Sequence, residues 1–213
     1  MCLSRFRTHL VALALFVAFS SAHADWEASF NAQSSKGSFS AATGKFYSRT
    51  DRVRVDTNVP IEVSFYLKAG NDHVDAAIHS FHMHLTTKLG KISTQFPACI
   101  AKSFDDCVKK YALKKIREES CSDGGVARTC EVYSADTTSI NGVKKIELSH
   151  WKGESEPILV STVVTKKDGD IITVHFTKIT KKTRDASFYS VPANYVNAGS
   201  LDRFLGDFKG KSE

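Results

Sequence analysis

The chain has 213 residues, with 29 lysines and arginines against 23 aspartates and glutamates, for a formal net charge of +6. Its lysines are scattered among acids, with no zinc-finger spacing and no basic stripe interleaved with aromatics, so a nucleic-acid partner is not expected. This charge suits a solvated surface and leaves a mild attraction to an anionic membrane surface open.

Residues 1–24 read as a cleavable export signal. Arg5 and Arg7 precede the apolar run "LVALALFVAF", and Ala22-x-Ala24 stands just before Asp25. A bilayer span takes about 20 apolar residues, and no segment reaches that. Cys2 lies ahead of the apolar run, which argues against a lipid anchor. Residues 25–213 are therefore expected to form one soluble domain in the periplasm or outside the cell.

Cys99, Cys107, Cys121 and Cys130 remain after cleavage. An even count in an exported chain reads as two disulfides, and no C-x-x-C spacing supports a redox role. Three pairings are possible, of which the local ones are favoured. Cys121 and Cys130 flank "SDGGVART", whose Asp-Gly-Gly is a turn, so their bond would cross a hairpin. Cys99 and Cys107 can meet only if a helix begins between them, with Ser103 as its cap.

From Trp26 the period is mostly two. "WEASFNA", "GKFYS", "DRVRVDT" and "IEVSFYLK" follow one another with turn residues between them. Next comes "AAIHSFHMHL", residues 76–85, with three histidines. Read as one strand, it puts His79, Phe81, Met83 and Leu85 on the core face and His82 and His84 together on the other. That pair could grip copper or zinc if His150 or His175 supplied a third imidazole. The bland alternative is a polar sheet face that carries histidines.

Phe104, Cys107, Val108, Tyr111 and Ala112 then recur at helical spacing, so residues 104–119 read as an amphipathic helix. Strand periodicity resumes in "CEVYSA", "KKIELSHW", "PILVSTVVT" and "DIITVHFTKI". Asn141-Gly142 and Asp168-Gly169-Asp170 provide the turns between them. A short helix is expected at "SLDRFLGDF". The fold class is mainly β with one or two helices: a curved antiparallel sheet or unclosed β-barrel with an amphipathic helix packed on it.

The run "GDIITVHFTKITKKTRDASFYSVPANY" resembles the closing part of the periplasmic outer-membrane lipoprotein carrier (LolA/LolB-like) superfamily. The matching positions are Phe188, Val191, Pro192 and Tyr195. "GKFYSRTDRVRVDT" looks like that family's early strands and "HWKGESEPILVSTVV" like its middle hairpin. The resemblance implies an unclosed barrel whose helices form a lid over an apolar cavity. It also implies a lid contact from an arginine on an early strand, for which Arg52 and Arg54 are the candidates.

Three functions fit. One is binding of a lipid or acyl chain in a cleft lined by Phe65, Leu67, Phe81, Met83, Leu85, Val174 and Phe176, with Val108 and Tyr111 from the helix. Another is copper or zinc binding by His82 and His84. The third is an interaction module with a filled core and a membrane-surface or envelope-protein partner. No nucleophile elbow, H-E-x-x-H or phosphate-cradling loop is present, so neither an enzyme nor a cofactor is expected.

Overall fold

The computed structural model describes residues 25–37, 41–49, 51–58, 61–68, 71–88, 104–123, 125–136, 142–154 and 158–200, with Asp106, Cys107 and Lys110 in backbone only. The export signal, Cys99 and its bond to Cys107, Ser103 and the helix expected beyond Ser200 lie outside the described residues.

Twelve strands form a single sheet. They are β1 (Trp26–Ser34), β2 (Ala42–Arg49), β3 (Arg52–Thr57), β4 (Val63–Lys68), β5 (His73–Ile78), β6 (Met83–Lys88), β7 (Lys114–Asp123), β8 (Val126–Asp136), β9 (Val143–Trp151), β10 (Leu159–Lys166), β11 (Ile171–Lys181) and β12 (Val196–Ser200). Their spatial order is β12-β6-β5-β4-β3-β2-β1-β11-β10-β9-β8-β7, in a large, curved, unclosed sheet. All neighbours pair antiparallel except β12, which runs parallel to β6. The expected architecture is therefore the one observed, down to the half-buried alternation of most strands.

That alternation defines an inner face. Trp26, Ala28, Phe30 and Ala32 of β1, Val53 and Val55 of β3, Phe65 and Leu67 of β4, and Val174 and Phe176 of β11 all join one apolar cluster. At its centre Phe46 and Phe176 pack 5.5 Å apart, and Trp26 lies 5.0 Å from Phe46. Gly44 of β2 stands opposite Phe30, with the Phe30 ring across the space a side chain would take.

One strand changes phase. Glu27 pairs with Thr180 but Ser29 with Thr177, so Ala28 faces both Lys178 and Ile179. Lys178 takes a left-handed φ of 55° there, the conformation that the first residue of a G1-type β-bulge adopts. Beyond the bulge Ile179 is buried, although strict alternation would turn it outward. Its N–H donates to Asp123 Oδ2 at 2.8 Å and holds the tip of the β7–β8 hairpin against β11.

Three expectations are corrected. The helix expected over 104–119 is α1 (Phe104–Lys110), only seven residues long. Ala112 adopts φ 50°, Leu113 N–H bonds to the Val108 carbonyl, and Ala112 N–H bonds to that of Lys109. This is a Schellman stop with alanine in the place glycine normally takes, so no glycine marked it. "KKIREESCSD" then forms β7, where pairing with β8 outweighs a helical reading of its charges.

The second correction is the histidine strand. β5 ends at Ile78, His79–Phe81 form a 3-10 turn, His82 is left-handed at φ 49°, and β6 begins at Met83. Ile78 pairs with Met83, so the stretch is a hairpin with a four-residue loop. No Gly, Pro or Asn-Gly announced it. Phe81 consequently sits at the loop tip, 65% exposed, instead of in the core. The third is β12, whose parallel pairing follows from a C-terminal segment that crosses the outer face before it joins the β6 edge.

Candidate functional site

On the inner face, Phe65, Leu67, Leu85, Val174 and Phe176 are buried in the apolar cluster, and Met83, Val108 and Tyr111 pack against it partly buried. Eight of the nine expected lining residues are thus brought together, and Phe81 is not. Helix α1 lies over the β8–β9 end of this face. Phe104 stacks 4.3 Å from His150 and meets Tyr133 edge-on at 5.0 Å. Burial pushes the Tyr111 phenol up to about 12, so it remains neutral at any physiological pH.

Polar groups stand inside this apolar surface, among them Thr162, the Trp26 indole and the Trp151 indole. Thr162 lies opposite Leu148 and Val174, both core residues. Its Oγ1 and the indole Nε1 of Trp26 are buried without a hydrogen-bond partner among the described residues. The sequence singled out neither position; strand alternation could have turned both inward, but not shown that their polar atoms lack partners.

A charged rim borders α1. Lys115 Nζ donates to Glu131 at 2.7 Å and to Glu118 at 2.5 Å, and Lys152 Nζ donates to Glu118 at 2.8 Å. Hydrogen bonds from Lys115 and then Lys152 push the Glu118 carboxyl down to about 2. Tyr133 donates to Glu131 at 2.9 Å, and its own phenol is pushed up to about 12 by burial and by that carboxylate.

Arg52 and Arg54 both reach the C-terminal segment. Arg52 donates to Ser190 Oγ at 3.0 Å, while Arg54 donates to the Phe188 carbonyl at 3.2 Å and to Asp56 at 2.7 Å. Burial works to lower the Arg54 pKa, but its bond to Asp56 and the surrounding negative groups leave it raised, so the guanidinium stays charged. Both side chains project opposite Val53 and Val55, so the segment they hold covers the outer face. It contains a 3-10 turn, Ala186–Tyr189, in which Tyr189 is buried.

A hydrogen-bonded relay extends this attachment. Ser64 Oγ donates to Asp56 at 2.6 Å, His79 Nε2 lies 2.6 Å from Ser64 Oγ, and Tyr195 Oη lies 2.6 Å from His79 Nδ1. A neutral His79 with its proton on Nε2 satisfies every member in sequence. Ser64 is fully buried, so its hydroxyl positions rather than attacks.

The other histidines are dispersed. His82 stands in the hairpin loop against Tyr195, with ring centroids 5.5 Å apart, and His84 on β6 faces Ala77 and Asn197. His175 is on β11, with five strands between it and β6. Among the described residues no group of three or more His, Cys, Asp or Glu is placed to hold a metal ion. Cys121 and Cys130 form a disulfide across the β7–β8 hairpin. At the opposite edge, a groove of about 470 Å³ is lined by Asp72, His73, Thr86, Thr87, Lys88 and Asn197, among others.

No family model matches the chain, and no curated protein does. Similar solved structures include PNGF-II at 12% identity and TM-score 0.45, with 89% of this chain and 33% of that chain covered. A LolA superfamily protein from Nitrosomonas europaea is similar at 11% identity and TM-score 0.40, with coverage of 86% and 96%. MucB, solved in complex with MucA, is similar at 11% identity and TM-score 0.45, with coverage of 89% and 61%. This chain thus spans a third of the length of PNGF-II and about three fifths of MucB.

Proposed function

We propose that the protein is an exported, non-enzymatic binder of an amphiphile, a lipid or acyl chain, held between the inner face of the sheet and α1. The observation that carries this reading is the unpartnered Trp26 indole N–H and Thr162 hydroxyl within an apolar surface. A buried polar group left without a partner costs about 1–3 kcal/mol. A permanently filled core gains nothing from these two, whereas a ligand with an ester or carboxylate oxygen supplies an acceptor to them. Apolar burial, at about 25 cal/mol per Å², would provide most of the affinity. Val108 of α1 and Tyr111 just beyond it form one wall of the site, and Arg52 and Arg54 fasten the segment that braces it from behind.

Native mass spectrometry of mature protein purified from its own host, never exposed to detergent, tests this reading. An added mass in the lipid range that organic solvent releases is the expected result. A bare chain mass from freshly exported protein would overturn it in favour of a filled core and an interaction role. Val108→Asp should eject the lipid while the protein remains folded. Retention of lipid by the folded variant would remove α1 from the site.

A further inference from the structure

We propose that the rim at one end of the sheet docks on an anionic lipid bilayer. Five successive strands place a basic residue there: β2 ends at Arg49, β3 begins at Arg52, β4 ends at Lys68, β5 begins at His73 and β6 ends at Lys88. All five lie on the outer face, because their strand neighbours Ser48, Val53, Leu67, Val74 and Thr87 are buried on the inner one. Arg49 pairs with Arg52, Arg52 with Lys68, and His73 with Lys88. The Tyr66–Asp75 pair brings Lys68 level with His73 two residues further on. At about 4.8 Å per strand the row runs about 19 Å. Lys182 extends it beyond β1, where its N–H donates to the Asp25 carbonyl.

Directly opposed like charges weaken a sheet, and acids at this rim relieve them only in part. Asp25 lies 3.9 Å from Arg49, Asp51 3.5 Å from Arg52 and Asp72 3.3 Å from His73. Arg52 also donates to Ser190, and Lys182 stands 3.9 Å from Glu27. Lys68 and Lys88 are exposed and contact no acid among the described residues. Elsewhere on the outer face the signs are mixed, as where Arg117 and Lys145 both contact Glu147. The opposite ends of β1–β6, namely Ser34, Ala42, Thr57, Val63, Ile78 and Met83, carry no charge. Across these strands the basic residues are gathered at one end.

Geometry selects the partner. Outward side chains at the strand ends of a curved sheet can all reach one plane, whereas a row across the middle of a convex face could not. A bilayer offers that plane with repeated anions, and each lysine or arginine near it strengthens partitioning roughly fivefold. The choice of a bilayer over an acidic protein rests on the amphiphile reading above, since such a ligand enters from or leaves to a membrane.

Co-flotation of the mature, oxidised chain with phosphatidylcholine vesicles, with and without phosphatidylglycerol, tests the dock. Binding should occur only to the anionic vesicles and should be released by salt. Equal binding to both kinds overturns the proposal, as does binding to neither. Binding to soluble polyglutamate with none to vesicles overturns it in favour of an acidic protein. The Lys68→Gln, Lys88→Gln double variant changes two exposed side chains and should weaken partitioning about twentyfold. Lys114→Gln, Lys144→Gln removes the same charge from the opposite end and should change it no more than about twofold. Equal losses would mean that net charge, and not this rim, attracts the vesicle, and would overturn the assignment. A lipid adduct in the native mass of a chain that ignores anionic vesicles would leave the amphiphile reading standing and remove the dock.

Discussion

Arg54 of β3 lies 4.3 Å over the ring of Phe188 and so fastens a central strand to a turn 134 residues later in the chain. Arg184 covers the same ring at 4.7 Å, so Phe188 is held between two guanidinium groups. Replacing Arg54 with Ala should cost about 2–3 kcal/mol, because it strips the stack and leaves half-buried Asp56 unpaired. Lys should not rescue it, since an ammonium cannot bond Asp56 and lie flat on the ring together. A double-mutant cycle with Phe188→Ala in urea unfolding should return a coupling of about 1 kcal/mol. Additive effects would mean that the stack contributes nothing.

Ala112 holds the left-handed stop of α1 without glycine's freedom. Ala112→Gly should therefore stabilise the protein by about 0.5–1 kcal/mol, a rare gain from a glycine. A fall in thermal midpoint would show that the αL conformation is not strained there.

Gly44 should behave in the opposite way. A Cβ there would overlap the Asp56 carbonyl oxygen and meet Phe30 Cε1 at 2.8 Å. Gly44→Ala should cost about 3 kcal/mol or more, because backbone as well as side chain must move. Gly153→Ala, at φ 81° in open space, should cost only about 1–2 kcal/mol from conformation. Equal losses in chemical denaturation would refute the close approach at Gly44.

Acid should loosen the β7–β8 hairpin before the rest of the sheet. Glu118 has a lowered folded-state pKa, about 2 against an ordinary 4.5. Its contribution is then fully present above about pH 4.5 and is lost as pH falls toward 2. Hydrogen bonds from lysines depress Glu131 and Glu147 in the same direction. NMR titration should show Glu118 ionised at pH 3, and Glu118→Gln should remove part of the acid-dependent loss of amide protection in β7. An ordinary midpoint near 4.5 would mean that the Lys115 and Lys152 contacts do not persist in solution.

The disulfide should matter most for the hairpin tip. In the chain-entropy account, a loop this short confers roughly 2–3 kcal/mol. The Cys121→Ala, Cys130→Ala double variant should lose about that much and release Ile179 N–H to exchange. Unchanged exchange at Ile179 would show that Asp123 holds the tip unaided.

Most of the sheet was legible because one face is buried and each strand repeats every second residue. Val63, Phe65 and Leu67 or Ile172, Val174 and Phe176 admit no other reading. Failures fell where a backbone change carried no marker residue. The loop at His79–His82 and the stop at Ala112 both use left-handed residues without glycine, so periodicity ran on through them. At the site, the sequence indicated which apolar side chains would meet. It could not reveal the relay from Tyr195 through His79 and Ser64 to Asp56, whose members lie on four separate segments and meet only once the C-terminal segment has crossed the sheet.

The bulge at Lys178 gives β11 something like a reading frame. Up to Phe176 the even positions point inward, and from Ile179 the odd ones do. Removing Lys178, the extra residue, would close the bulge and leave Ile179 in the inward position that follows Phe176, so the phase of both halves survives. Removing one residue from the regular part of the strand, with the bulge kept, would instead transpose the segment between that point and its end, turning core side chains to water. A single deletion is therefore tolerable at the bulge and damaging elsewhere in β11.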